Sequence, residues 1–376
     1  MEKVLLTSIC RPKQWKTIST KDLLESGYPV YGANGKIGFY NSYTHEHPTV
    51  LITCRGATCG SINISDPKSY VNGNAMALDN LSEEVDLYYL KYYLEYRKLD
   101  DVISGSAQPQ ITGKGLSKVK IPLPPLDQQK KIAAILDAAD GYRQKTKALI
   151  EKYDELTQSL FLDMFGDPVT NPKGWETQSI VELVKDEKYS LKRGPFGGAL
   201  KKEIFVEEGY LVYEQFHALN NDFSMARYFI DEEKYNELIG FAVKPKDIII
   251  SCSGVYLGKL AIIPDKAKEG IINQALLKLT LDQSKMRNDF FVFHFTQENF
   301  KKTYFDSNRG AGIPNFPPMK VFKQFPFITP PIKLQNQFAE RVQAIEAQKA
   351  QAQASLTQAE DLFNSLLQRA FKGELV

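Results

Sequence analysis

Two stretches of this sequence decide its architecture: PPLDQQKKIAAIL (Pro124 to Leu136) and PPIKLQNQFAERV (Pro330 to Val342). Pro124, Pro125, Gln129 and Ile132 recur as Pro330, Pro331, Gln335 and Phe338, at an offset of 206 residues. The same offset holds further on, where Ser159, Leu160 and Phe165 recur as Ser365, Leu366 and Phe371. A segment of about 42 residues thus repeats without a gap, and such self-similarity constrains the whole fold before any single element is assigned.

Weaker echoes lie upstream, at offsets that drift as loops differ in length. GYPVY (Gly27 to Tyr31) resembles GYLVY (Gly209 to Tyr213), and LITCRGATCG (Leu51 to Gly60) resembles IISCSGVYLG (Ile249 to Gly258). QPQITGKGLSKVKIPLPP (Gln108 to Pro125) has its counterpart in IPNFPPMKVFKQFPFITPP (Ile313 to Pro331). The chain reads as a tandem duplication: globular unit, helix, globular unit, helix.

The repeated stretches read as helices from the period of their apolar positions. In the first copy Ile132, Ile135, Ala139, Tyr142, Thr146, Leu149, Tyr153, Leu156 and Leu160 alternate three and four apart, the spacing of a coiled-coil seam. In the second the seam is Phe338, Val342, Ile345, Lys349, Ala352, Leu356, Ala359, Phe363 and Leu366, and its alanines predict close helix packing. The paired prolines stand where a helix entry tolerates them, and Phe-Gly-Asp-Pro (165 to 168) supplies a stop. About 36 residues of helix span roughly 54 Å. A heptad alone fits an antiparallel hairpin or a homodimerisation arm; the duplication favours a rod that sets a distance between two similar globes.

The expected fold class is α+β: two similar domains separated by two long antiparallel helices that form a coiled-coil spacer. The boundaries are 1–123 for the first domain, 124–166 for the central helix, 167–172 for a linker, 173–329 for the second domain and 330–376 for the C-terminal helix. Within the globes, Thr49 to Thr53, Ile248 to Cys252 and Lys259 to Ile263 read as strands bounded by Gly, Pro and Asp. Leu87 to Leu99 and Asp289 to Tyr304 have helical spacing. Gly-rich loops, Gly32 to Gly38 and Ser104 to Gly115, are where a reading surface is expected.

Composition supports globular cores and little else. Of 376 residues 43% are apolar and 11% aromatic, enough to exclude a disordered chain. Cys10, Cys54, Cys59 and Cys252 show no CxxC spacing and read as free thiols in a reducing compartment. No run of about 18 apolar residues and no secretory pattern at the N-terminus is present, so a soluble cytoplasmic protein without membrane contact is expected. Residues 1–125 carry 14 Lys+Arg against 12 Asp+Glu, and residues 173–331 carry 22 against 20; neither domain shows a strongly basic footprint.

The helix motifs, together with LFLDMFGDP (Leu160 to Pro168) and LLQRAFKGEL (Leu366 to Leu375), resemble the Type I restriction-modification specificity subunit. YPVYGANGKIGFYN, VLITCRGATCG and SGSAQPQITGKGL also look like one of its target recognition domains, so the resemblance covers essentially the whole chain. It implies a non-catalytic, sequence-specific DNA-binding subunit. Each domain would read one half of a split double-stranded target, asymmetric because the two domains differ. It also implies two methyltransferase subunits on the helices and motor-nuclease subunits completing the complex. No cofactor would sit in this chain; S-adenosylmethionine would belong to the methyltransferase partner, ATP and magnesium to the motor-nuclease.

Base reading asks for Arg against guanine and Asn or Gln against adenine, with other polar groups on phosphate. Loop position and residue chemistry single out Asn34, Lys36, Arg55, Gln108, Gln110 and Lys114 in the first domain. In the second they single out Lys192, Arg193, Lys201, Lys202, Tyr256 and Arg309.

Catalytic signatures are missing from the sequence. Pro314-Asn315-Phe316-Pro317-Pro318 holds the letters of an adenine methyltransferase motif in the wrong order, and Asp186-Glu187-Lys188 and Asp231 to Lys234 read as solvated charge rather than a magnesium site. His45 and His47 lack further zinc ligands at sensible spacing, as do Cys54 and Cys59. Two other readings are an enzyme with an unrecognised nuclease or methyltransferase site, and a coiled-coil scaffold whose globes bind protein.

Overall fold

A computed structural model describes residues 3–33, 35–105, 108–254, 257–305 and 316–375. The chain divides into two compact units: residues 1–150 together with 351–376, and residues 151–350. The divide passes through both long helices.

In the first unit the strands are β1 (Lys3–Leu5), β2 (Arg11–Gln14), β3 (Tyr28–Gly32), β4 (Gly35–Tyr40), β5 (Val50–Thr53), β6 (Ile62–Ile64), β7 (Tyr70–Val71), β8 (Ala75–Asp79) and β9 (Lys120–Pro122). Its helices are α1 (Leu6–Ile9), α2 (Leu87–Arg97), α3 (Gly113–Leu116) and the first part of α4 (Leu126–Phe165). The strands form sheets ordered β2-β8-β5-β6, β4-β3-β7 and β1-β9. The second unit has β10 (Thr177–Ser179), β11 (Leu191–Arg193), β12 (Tyr210–Tyr213), β13 (Phe229–Ile230), β14 (Ile248–Ser251), β15 (Leu260–Ile262), β16 (Gly270–Ile272), β17 (Leu276–Leu279) and β18 (Pro326–Ile328). Its helices are α5 (Ile180–Leu183), α6 (Gln215–Asn220), α7 (Glu232–Glu237), α8 (Asn288–Thr296), α9 (Glu298–Phe305), α10 (Met319–Phe322) and part of α11 (Ile332–Lys372). Its sheets run β11-β17-β14-β15, β13-β12-β16 and β10-β18, the same order strand for strand. Even the parallel pairs match, β3 with β7 and β12 with β16.

The central strands β5 (VLIT) and β14 (IIIS) are buried along their whole length, which is why they read as continuous apolar runs rather than alternating ones. One face of the first four-stranded sheet packs on α2 through Val50, Ile52, Leu90 and Leu94. The second unit packs a phenylalanine cluster instead, with Phe290, Phe291 and Phe295 of α8 among Phe300, Phe322 and Phe327.

The repeated glutamines explain how each long helix is tied to its domain. Gln129 Oε1 accepts from the Asp86 N–H at 2.9 Å, while its Nε2 donates to the carbonyls of Glu84 (2.9 Å) and Pro124 (2.8 Å). Gln335 repeats this with the Arg287 N–H (2.9 Å) and the carbonyls of Lys285 (3.0 Å) and Pro330 (2.9 Å). Both side chains are fully buried with three satisfied bonds, locking the first turn of α4 to the start of α2 and that of α11 to the start of α8.

The two long helices are antiparallel. In the first unit Ile132 shares a cluster with Phe363, Leu367 and Ala370, and Lys147 pairs with Glu360 at 3.2 Å. In the second, Lys349 pairs with Asp154 and Phe161 lies 5.7 Å from Phe338. Along α11, Phe338, Val342, Ala352, Ala359 and Phe363 are buried, and Ile345, Lys349, Leu356 and Leu366 half-buried. The α4 seam needs correction at every second position. Ile132, Ala139, Thr146, Tyr153 and Leu160 face inward, but Ile135, Tyr142, Leu149 and Leu156 are 37%, 54%, 43% and 49% exposed. The inward positions lie one residue later, at Leu136, Arg143, Ile150 and Thr157. Two of these four are polar, Thr157 and Arg143, whose guanidinium lies 4.3 Å over the Phe363 ring, so apolar letters alone do not trace the face.

α4 ends at Gly166, whose φ of 77° only glycine adopts freely and whose N–H donates to the Leu162 carbonyl (2.8 Å). Among the described residues no helix is long and apolar enough to cross a membrane.

Candidate nucleic-acid interface

In the first unit, antiparallel pairing brings the C-terminal ends of β2 and β5 to the same sheet edge as the N-terminal end of β8. That end carries Gln14, Arg55 and Asn74, all exposed. The β3–β4 turn joins it, since the Thr53 hydroxyl donates to the Ala33 carbonyl. Ser104 and Gln110 close on the same place: they exchange backbone bonds of 2.9 and 2.8 Å, Gln110 bridges Arg55, and the Ile111 N–H donates to the Cys54 carbonyl at 3.0 Å. Arg55 and Gln110 are thus neighbours although 55 positions separate them, with Gln108 two residues before Gln110 and Lys36 on the strand that follows the β3–β4 turn. Lys114 sits next along the chain on α3, which Thr112 caps. Lys36 lies 4.3 Å over the Phe39 ring. Among the described residues Lys36, Arg55 and Lys114 have no carboxylate within 4.0 Å, whereas Lys68, Lys91 and Arg97 of the same unit are ion-paired. Asn34 lies outside the described residues.

The second unit builds the corresponding end from β11, β14 and β17. Lys192 and Arg193 stand on β11, with Lys192 Nζ 5.0 Å from the Phe241 ring and 5.3 Å from that of Tyr189. Neither has a carboxylate partner among the described residues, and the Arg193 Nε is buried without any partner. Lys201 and Lys202 are exposed beyond the Gly-rich turn that follows β11. Tyr256 and Arg309 lie outside the described residues. Gln215, on α6, donates to the Ser251 hydroxyl and the Ser253 carbonyl, both at 2.9 Å, and so takes the place of the Ala33–Thr53 contact. In the first unit only two residues separate β3 from β4, whereas residues 214–228, which include α6, separate β12 from β13.

Sequence reasoning missed Gln14, Asn74, Gln215 and Phe196. Phe196 stands between Pro195 and Gly197 just beyond Arg193 and is 77% exposed, far more than its apolar surface warrants. Gln14 aligns with Arg193 only through the pairing of β2 with β8 and of β11 with β17.

The groups that lack metal-ligand spacing have partners within the fold. His45 lies between the Thr44 hydroxyl (2.8 Å from Nδ1) and Asp79 (2.9 Å from Nε2), and Asp231 accepts from the Lys234 N–H to cap α7. Among the described residues no three His, Cys, Asp or Glu side chains gather to hold a metal. Burial pushes the Cys252 thiol up to about 12 against the opposing pull of the Arg193 charge.

Similarity to known proteins now bears on this geometry. The family model described as "Type I restriction modification DNA specificity domain" matches residues 1–153 and again 172–359. The specificity subunit of the MjaIX Type I restriction enzyme of Methanocaldococcus jannaschii is 26% identical over 95% of this chain and 86% of its own length. That of MjaVIII from the same organism is 23% identical over 79% and 72%. Among solved structures, the S subunit of the Type I restriction-modification system of M. genitalium superposes with a TM-score of 0.59 at 17% identity, covering 98% of this chain and 95% of that one. A chain from a study of complex assembly and conformational transition in the Type I system gives 0.60 at 15%, covering 100% and 98%.

Proposed function

The chain belongs to the Type I restriction modification DNA specificity family, and from that membership we propose that each unit reads one half of a split, asymmetric duplex target. It is the DNA-specificity subunit of a Type I system, without catalysis of its own. One observation carries the half-site reading: a single strand order built twice gathers Arg, Gln, Asn and Lys side chains at the same sheet end, with different letters in each copy. Equal frames with unequal side chains suit two half-sites of different sequence. Phosphate contacts would come from Lys36, Lys114, Lys201 and Lys202, and base contacts from Arg55, Gln108, Gln110 and Arg193.

The long helices are the docking elements in this reading. Ile135, Tyr142, Leu149 and Leu156 leave an exposed apolar stripe along α4, suited to one of two methyltransferase subunits. Those partners would hold S-adenosylmethionine and receive an adenine extruded from the duplex. A motor-nuclease partner would bring ATP and magnesium. The assembly works where the chromosome is, in the cytoplasm.

Adenine methylation mapped across a genome with and without this gene tests the reading. The expected result is one bipartite motif, with a fixed gap, lost on deletion. An unchanged map overturns it, and salt-independent DNA affinity of the complex would favour a scaffold instead.

A further inference from the structure

Gln14 and Arg193 occupy the same position in the two units. Gln14 pairs with Met76 of β8, Arg193 with Leu277 of β17. The alignment is fixed independently by the next strand over: the Cys54 N–H donates to the Asn74 carbonyl and the Cys252 N–H to the Ala275 carbonyl, two residues before Met76 and Leu277 respectively. Gln14 Nε2 lies 2.9 Å from the Cys54 sulfur, and the Arg193 charge opposes the upward shift that burial gives the Cys252 thiol.

The two positions present opposite hydrogen-bonding character. Gln14 Nε2 is held internally, donating to the Gly73 carbonyl (3.1 Å) and the Cys54 sulfur, so the group left to an incoming ligand is its carbonyl oxygen, an acceptor. Arg193 offers only donors, and none meets an acceptor or a carboxylate among the described residues. An unpaired guanidinium with its Nε buried is costly unless something completes it. In the major groove an acceptor suits the exocyclic amine of adenine or cytosine, and a forked donor suits guanine O6 and N7.

We infer that Gln14 and Arg193 are matched specificity-determining residues: at the equivalent base pair, Gln14 selects an amine-bearing base in the first half-site and Arg193 selects guanine in the second. The inference rests on the half-site reading proposed above. It narrows that reading to one position per half and assigns each a base class.

The test uses the complete methyltransferase complex and a set of duplexes in which every base pair of both half-sites is varied singly. Arg193→Gln should lose discrimination at one guanine of the second half-site, by about 5- to 150-fold, and leave the first half-site untouched. Gln14→Arg should shift one base pair of the first half-site from adenine or cytosine towards guanine. Arg193→Lys keeps the charge but not the fork, so it should retain binding while losing most of the guanine preference. Melting temperatures and assembly of each variant are measured alongside, so that a folding loss is recognised and Arg193→Lys then decides. Weakening spread evenly over all base pairs would make Arg193 a phosphate contact and overturn the inference, as would an unchanged profile. A wild-type complex that prefers no duplex would instead overturn the half-site reading itself.

Discussion

The two units share a frame and differ in what fills it. Tyr89 of α2 corresponds to Phe290 of α8, and Tyr93 to His294, because Asp86 and Arg287 sit in equal contact with Gln129 and Gln335. Tyr89 and Tyr93 send their hydroxyls to the Pro122 (2.8 Å) and Lys120 (3.0 Å) carbonyls of β9. In the second unit Phe290 makes ring contacts only, and His294 accepts from the Ile328 N–H of β18 at 3.2 Å. Polar anchors to β9 are thus exchanged for aromatic packing and one buried imidazole. The frame tolerates this because backbone pairing and the two glutamines, not core chemistry, define it.

The largest expected contrast lies at the helix ends. Phe165, which closes α4, is fully buried 4.8 Å from Phe290 and 5.4 Å from Phe338. Its repeat, Phe371, is half-buried 5.6 Å from Tyr89 and 5.2 Å from Tyr93 and Tyr96. Phe165→Ala should cost about 3–5 kcal/mol in urea unfolding and Phe371→Ala clearly less, since a cavity at a partly open site refills with water. Equal losses would show that the two ends are packed alike.

Next come the glutamines. Gln335→Leu strands the Arg287 N–H and two carbonyls, and Gln129→Leu strands their counterparts; each should cost at least about 2 kcal/mol. The contacts are the same in kind and nearly the same in length, so the two losses should agree within about 1 kcal/mol. A wide difference would break the equivalence of the two frames.

The acid response should separate the units further. Burial pushes His294 down to about 3, and among the described residues its Nδ1 has no partner. The folded chain therefore keeps His294 neutral while the unfolded chain protonates it near its ordinary value of about 6.5. Its contribution is whole above that pH and is lost as pH falls below it, by up to about 1.4 kcal/mol per unit. Melting between pH 7.5 and 5.5 should show this limb in the wild type and a flatter one in His294→Phe. The matching tyrosine, Tyr93, is neutral throughout that range, because burial raises its hydroxyl above an already alkaline value. The same slope in both proteins would place the acid sensitivity elsewhere.

How far the sequence reached follows from what each feature depends on. The 206-residue repeat was legible because paired prolines, a glutamine and a closing phenylalanine are fixed by local geometry at helix ends. On α11 the inward positions are alanine, phenylalanine and other apolar residues apart from Lys349, so the apolar letters trace the face. On α4 the spacing was right, but Arg143 and Thr157 took alternate places in the seam, and apolar neighbours one residue earlier drew the assignment to the wrong side. The meeting of Arg55 and Gln110 depends on pairing across loops, which a linear reading cannot supply. Gln14 was invisible for the same reason: its meaning lies in its register with β8.

The smallest stability effect belongs to that misassigned stripe, and it offers the sharpest functional contrast between the two helices. At the 206-residue offset Ile135, Tyr142, Leu149 and Leu156 become Arg341, Gln348, Ser355 and Leu362, so an apolar face on α4 is largely polar on α11. Seven-residue spacing drifts only about 20° per heptad, which keeps the four α4 side chains on one strip. Because they are about half exposed, Tyr142→Glu or Leu149→Glu should change unfolding free energy by no more than about 0.5 kcal/mol. If the stripe carries a methyltransferase subunit, each should weaken its capture in size-exclusion or calorimetric titration at least tenfold, through burial of a charge in an apolar contact. Ser355→Glu on α11 should leave capture nearly unchanged. Equal losses from the two helices would mean that partners use matched faces despite unmatched chemistry, and no loss from either would remove the stripe from the docking surface.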